Sequence, residues 1–186
     1  LIEYDDVMNN QRAVVYDRRN EALSGQNMES EVKNILNDYL DVLIETNYSD
    51  NKWDKASLQE GLINTLSIDY NSLEKTENPE ILKDSILNEC DRILEMKSEI
   101  AGEEIFNQFQ KFIMFRTIDQ KWKEHLYAMD QLREGINLRA YGQKNPLVEY
   151  KQEGYEMFTQ MILDTDEETL KRIFRSNIKA ENGGLL

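Results

Sequence analysis

The chain has 186 residues with 36 acidic against 22 basic side chains, a formal net charge of −14. That length suffices for one domain or two small ones whose cores need neither disulfide nor metal. The charge argues against duplex nucleic acid, which demands clustered Lys and Arg to neutralise phosphates. The single cysteine, Cys90, forms no internal disulfide and fits a reducing compartment. Two Pro, eight Gly and 31% charged residues predict an all-α fold. No apolar run approaches the roughly 18 to 20 residues of a spanning helix, and no basic-then-apolar leader opens the chain. The expectation is therefore a cytoplasmic protein whose membrane role, if any, is peripheral.

The chain opens Leu1-Ile2-Glu3-Tyr4 with no Met, already in helical rhythm. Tyr4, Val7, Met8, Val15 and Ala22 share one face, with Gln11 its polar exception, so residues 1–24 read as the interior of a longer helix. Formal charge is −2 over residues 1–24, −10 over 25–101, −2 over 102–165 and zero over 166–186. These breaks, at Ser24-Gly25 and near Gly102, predict an acidic module inserted between two parts of a nearly neutral one.

Within the acidic module, Val32, Ile35, Leu36, Tyr39, Leu40, Leu43 and Ile44 follow the spacing of an amphipathic helix. Ser57-Leu-Gln-Glu60 has the pattern of a capping box and predicts a short helix carrying Leu62, Ile63 and Leu66. Residues 67–78 read as irregular. Asn78-Pro79 predicts a further helix start, with Leu82, Ile86, Cys90, Ile93 and Leu94 facing inward. Gly102 either bends one longer helix or separates two.

From Glu103 an apolar stripe runs through Ile105, Phe109, Phe112, Phe115, Ile118, Trp122, Leu126, Met129, Leu132 and Ile136. Its mean step of about 3.4 residues suits a helix packed lengthwise on another. The stripe stops around Gly135 to Asn137, and residues 137–146 cannot continue it, so they read as a hairpin turn. Asn145 then caps a return helix with Pro146 in its first turn and Leu147, Tyr150, Gly154, Phe158, Met161 and Ile162 on its inner face. Thr165-Asp-Glu-Glu168 has a second capping-box pattern and predicts a separate last helix, with Leu170, Ile173, Phe174 and Ile178 inside. Residues 181–186 read as a frayed tail. A hairpin on its own would be marginal, so its base near Phe109 to Ile118 is expected to pack on residues 1–24.

Nucleotide-binding glycine loops are not found in the sequence, and His125, the only histidine, lacks the partners of a di-iron or zinc motif. His125 beside Trp122 reads as a structural residue at the edge of the seam. No catalytic, cofactor-binding or metal residue is assigned. The hairpin tip stands out: residues 137–146 contain Arg139 and Lys144 with no acid, beside Leu138 and Tyr141. An amphipathic ring with basic neighbours suits sequence-tolerant contact with another polymer. The pattern equally allows Tyr141 to fold back on the hairpin. Two rival readings are a coiled-coil adaptor, in which the 105–136 stripe pairs between chains, and a catalytic bundle around His125, Glu124 and Asp119.

Three segments carry a resemblance: Leu1-Ile-Glu-Tyr-Asp-Asp-Val-Met-Asn-Asn-Gln-Arg12, Trp122-Lys-Glu-His-Leu126 and Leu132-Arg-Glu-Gly-Ile-Asn-Leu-Arg-Ala-Tyr-Gly-Gln-Lys-Asn-Pro146. They resemble the C-terminal third of the SecA family, ATP-driven motors of bacterial protein secretion. The resemblance implies a helical scaffold domain from residues 1–24 and 102–180, interrupted by a helical wing domain over 25–101. It implies that residues 103–163 form a two-helix finger that regulates the ATPase, with the C-terminal helix following. Leu138, Arg139, Tyr141 and Lys144 would touch the translocating preprotein and the SecY channel, while Trp122, His125, Gly135 and Pro146 would shape the finger. Implied partners are the SecY channel complex, unfolded preprotein, the motor's own ATPase domains and an anionic membrane surface at the inner face of the plasma membrane. ATP and Mg would belong to parts of such a motor outside these residues.

Overall fold

A computed structural model describes residues 2–25, 28–139 and 145–179. In chain order the elements are α1 (Ile2–Ser24), α2 (Glu29–Asn47), β1 (Tyr48–Ser49), β2 (Lys52–Trp53) and α3 (Lys55–Gly61), then α4 (Pro79–Ala101), α5 (Glu103–Arg139) and α6 (Pro146–Phe174). A π turn over Leu62–Leu66 and a 3-10 turn over Tyr70–Ser72 lie between α3 and α4. The fold is all-α, apart from one ribbon of two residues per strand.

The chain forms two compact units. Leu1–Gly25 with Met114–Thr165 makes one, and Gln26–Ile113 with Asp166–Leu186 makes the other. The first boundary coincides with the charge break. The next falls inside α5 rather than at Gly102, and the last stretch groups with the acidic residues rather than with the hairpin.

In the first unit, α1 lies against the distal parts of α5 and α6. The buried positions of α5 are Met114, Thr117, Ile118, Trp122, His125, Met129, Leu132 and Ile136. From Ile118 onward they alternate steps of four and three, as lengthwise packing requires. Tyr4, Val7, Met8 and Met157 close over Met129, Leu132, Ile136 and Tyr150. Support from α1 therefore reaches well beyond the expected base. Near residue 115 the Arg19 guanidinium sits 5.0 Å over the Phe115 ring and 3.1 Å from Asp119. Further along, the Tyr4 and Tyr150 rings are 4.8 Å apart.

The expected stripe is wrong at its start. Ile105 and Phe112 are exposed, while Phe106, Gln110 and Met114 are buried. At the other end of the stripe, His125 occupies the core position expected for Leu126, which is half-buried. The imidazole is therefore in the core, not at its edge.

In the second unit, the predicted apolar faces of α2 and α4 are buried through Val32, Ile35, Leu36 and Leu40 and through Leu82, Ile86, Cys90 and Leu94. Asn78 caps α4 by accepting from the backbone N–H groups of Glu80 and Ile81, with Pro79 in the first turn. Gly102 ends α4 with φ +86° and separates it from α5, a backbone conformation that glycine adopts without strain. The ribbon was not legible as a strand pair. Asp50 and Asn51 take φ of 50° and 59°, the left-handed pair a tight hairpin needs, and the Tyr48 and Trp53 rings meet across it at 4.6 Å, tilted by 48°. Adjacent helices meet closely at Gly61, where a Cβ would stand 2.5 Å from Leu43 Cδ1. The Tyr39 hydroxyl donates to the Gly61 carbonyl at 3.2 Å, and burial pushes this phenol up to about 12.

Neither capping box forms. The cap of α3 is Asp54, whose carboxylate accepts from the Ser57 backbone N–H at 3.1 Å and the Ser57 hydroxyl at 3.0 Å, so the helix begins earlier than Ser57. At Thr165 the helix does not start anew. The Thr165 hydroxyl donates to the Met161 carbonyl at 2.6 Å, and α6 runs unbroken to Phe174. Among the described residues there is consequently no separate last helix, and Ile178 lies beyond the end of α6.

Replacing Asn78 by Ala should cost about 1 kcal/mol through loss of the α4 cap. Asp54→Ala should lower the denaturation midpoint in the same direction, whereas Glu60→Ala should leave it unchanged. Urea unfolding followed by Trp53 fluorescence in a Trp122→Phe background reads the second unit alone; a larger effect at Glu60 would restore the box at Ser57.

Candidate functional site

The candidate site is the far part of the hairpin, and α5, α6 and α1 each contribute side chains to its support. Asn145 and Pro146 start α6 as predicted: the Asn145 side-chain oxygen accepts from the Leu147 N–H at 3.0 Å, and Pro146 occupies a position whose N–H would lack a helical partner. The helix α5 extends to Arg139, two residues beyond the predicted stop.

Behind the tip lies a braced neck. The Arg133 guanidinium donates to Asp5 at 3.1 Å and lies 5.4 Å from the centre of the Tyr4 ring, which in turn packs on the buried Tyr150. The Arg139 guanidinium donates to Glu153 at 2.5 Å, joining the last turn of α5 to α6. A predicted contact residue is thus engaged across the neck. Leu138, by contrast, is 77% exposed. Outward-facing Tyr127, Val148 and Tyr155 add apolar surface on the two helices. Tyr141 and Lys144 lie outside the described residues. A Cβ at Gly135 would meet nothing within 4 Å, so no close approach explains that glycine.

Deeper in the unit, three helices share one polar contact. The Gln11 side-chain amide donates to the Gly154 carbonyl at 3.1 Å, and its oxygen lies 2.7 Å from His125 Nε2. Because that oxygen is an acceptor, Nε2 carries the proton and Nδ1 is bare. Trp122 and Phe158 flank the imidazole at 5.7 and 5.6 Å. A Cβ on Gly154 would stand 2.8 Å from Met129 Cε, so the helices meet closely here. Burial holds His125 below its ordinary value. Gln11 was visible in the sequence as a polar exception, but its partner was not. The rival catalytic set is not assembled: Asp119 is held by Arg19, Glu124 by Gln120 and Lys121, and His125 by Gln11.

These features define an all-α scaffold module, a long helical hairpin braced by an N-terminal helix, with an acidic helical module in between. The chain belongs to the SecA family: the family described as SecA Wing and Scaffold domain matches residues 1–177. It is 41% identical over 179 residues to the protein translocase subunit SecA of Chloroherpeton thalassium, covering 94% of this chain and 17% of that protein. The subunit of the same name in Chlorobaculum tepidum is 39% identical over 178 residues, with the same coverage. For Desulforamulus reducens the match is 37% over 188 residues, 97% of this chain and 21% of the relative. The chain thus spans about a fifth of the length of the curated relatives it matches.

The protonation state of His125 should register in stability. Its folded value lies below the ordinary 6.5, so below about pH 6.5 the unfolded chain takes up a proton that the folded chain resists. Stability is therefore complete above that pH and declines as pH falls toward the folded value. Thermal midpoints read by Trp122 fluorescence in a Trp53→Phe background should drop between pH 7.5 and 5.5, and His125→Gln should flatten that drop. Gln11→Leu should cost about 1 to 3 kcal/mol at pH 7.5, because it strands the imidazole N–H.

Proposed function

We propose that this chain is the wing and scaffold part of a protein translocase subunit, in which the α5–α6 hairpin presents its tip to unfolded preprotein at the mouth of the SecY channel. In this reading Leu138 and Tyr141 meet the moving chain, and Lys144 meets acidic channel loops or anionic lipid head groups. Arg139 holds the neck and reaches a partner only by exchanging Glu153. Residues 1–24 and 102–180 act as the helical scaffold and residues 25–101 as the helical wing. ATP and Mg act in the longer protein's motor domains, and the hairpin relays their motion and regulates hydrolysis. The subunit works at the inner face of the plasma membrane as a peripheral protein. Among the described residues, no helix is long and apolar enough to cross a membrane.

The observation that carries this reading is the braced neck. Arg139–Glu153, Arg133–Asp5 and Tyr4–Tyr150 hold the two helices together at this end of the hairpin, and Leu138 and Val148 stand exposed beside them. A substrate that offers a new side chain at every step calls for a sequence-tolerant contact, which a phenol ring supplies better than a shaped pocket. Stiffness matters as well, since α5 alone spans about 55 Å at the helical rise of 1.5 Å per residue. The seam of the hairpin is filled by α1 of the same chain, which leaves a two-chain coiled coil no face to pair along Met129, Leu132 and Ile136.

The test is transport by the intact subunit. Tyr141→Ala should lower the transport rate about tenfold, equivalent to ~1.4 kcal/mol of lost contact, with helicity and thermal midpoint unchanged, while Tyr141→Phe should stay within about twofold. Equal loss in both variants, or unfolding in either, would remove the ring from the mechanism.

A further inference from the structure

The second unit holds a groove of about 240 Å³ between α2, α4 and the first turns of α5. Its floor is Leu94, Phe106 and Gln110, each at least nine-tenths buried, and its rim carries Glu29, Lys33, Asp91, Glu95 and Glu103. Two observations set it apart from a merely solvated acidic face.

The first is Gln110. The residue is 5% exposed, and its carboxamide makes no hydrogen bond to the protein among the described residues and reaches only the open groove. A carboxamide on so buried a residue is usually paired within the protein. This one lines the groove, with two donors and an acceptor to offer. The second is the division of charge along the rim. Lys33 is held by Glu29 at 2.8 Å and Asp91 at 3.5 Å, which keep it above the ordinary lysine range. Glu95 and Glu103 have no ion pair or hydrogen bond among the described residues. One stretch of rim is compensated and the other carries two free negative charges.

We propose that this groove binds a short peptide segment in which an aliphatic side chain lies beside a lysine or arginine. The aliphatic group packs on Leu94 and Phe106. The peptide backbone, which has both a donor and an acceptor, satisfies the Gln110 carboxamide. The cation lies between Glu95 and Glu103. The volume is below the roughly 300 to 1,000 Å³ of small-molecule sites, so the groove takes one side chain with its adjoining backbone rather than a cofactor. An acidic segment is rejected by the same two carboxylates.

The probe is a capped hexapeptide of alternating leucine and lysine, titrated into the full chain with the Gln110 side-chain NH2 and the Ser98 and Phe106 amides followed by NMR. These signals should move together and saturably, and binding should weaken about fivefold or more between low and moderate salt. The matching leucine and glutamate peptide should leave them in place. Glu95→Gln combined with Glu103→Gln, both on the surface, should weaken binding about tenfold with an unchanged circular dichroism spectrum. Movement of other signals only, equal binding of the acidic peptide, or an unaffected double variant would overturn the proposal. So would loss of binding when the labelled peptide is titrated into the intact subunit, because the groove would then be filled by the rest of the same polypeptide.

Discussion

Two hydrogen bonds made by Gln11, to His125 and to the Gly154 carbonyl, fix how three helices stand against one another. Each residue comes from a different helix, and both contacts join residues more than a hundred positions apart in sequence. Apolar burial supplies most of the stabilisation but is non-directional, so a stripe of Met, Leu and Ile tolerates a slip of one helical turn. The paired bonds of Gln11 do not. Displacing α1 by a turn would leave an amide and an imidazole unpaired in a low-dielectric interior, where such groups cost most. With register set there, Tyr4 falls on Tyr150 and Asp5 on Arg133, and the neck of the hairpin is braced.

Local signals in the sequence located α2, α4 and the Asn145-Pro146 start of α6, because each depends on neighbours within one or two turns. Errors arose wherever two local solutions were equally good. Both Asp54 and Ser57 can cap a helix, and they stand within one turn; the structure uses both, with Ser57 serving Asp54. Thr165 followed by Glu168 satisfies the box pattern, but a box also needs the backbone to leave the helix. With no Gly or Pro there, the hydroxyl returns to the Met161 carbonyl instead. The start of α5 has apolar residues on two adjoining faces, Ile105–Phe109–Phe112 and Phe106–Gln110–Met114. Periodicity favoured the former, and packing chose the latter.

The same division holds for the candidate site. Leu138 was legible as exposed because it follows the last core position, Ile136, by two residues, and that step carries it off the inner face. The pairing of Arg139 with Glu153 was not, since it depends on how the two helices align against each other. That pairing changes the electrostatics of the neck. The count of two cations and no acid over residues 137–146 suggested a basic tip, yet one of those charges is compensated by a carboxylate outside the counted window.

Charge counting also explains why one end of the acidic unit was visible and the other was not. Residues 166–186 are neutral in sum, so nothing in their composition joins them to a segment of −10. Besides the burial of Leu170, Ile173 and Phe174, what joins them is cations meeting backbone oxygens. The Lys97 ammonium donates to the Ser176 carbonyl just past the end of α6, and the Arg175 guanidinium donates to the Asn64 carbonyl. A helix C-terminus presents unpaired carbonyls and partial negative charge, which a buried ammonium can satisfy without a carboxylate. The burial this entails lowers the Lys97 pKa. Formal charge registers side chains only, so an attachment made through carbonyl oxygens leaves no trace in it, however firmly it fixes where the unit ends.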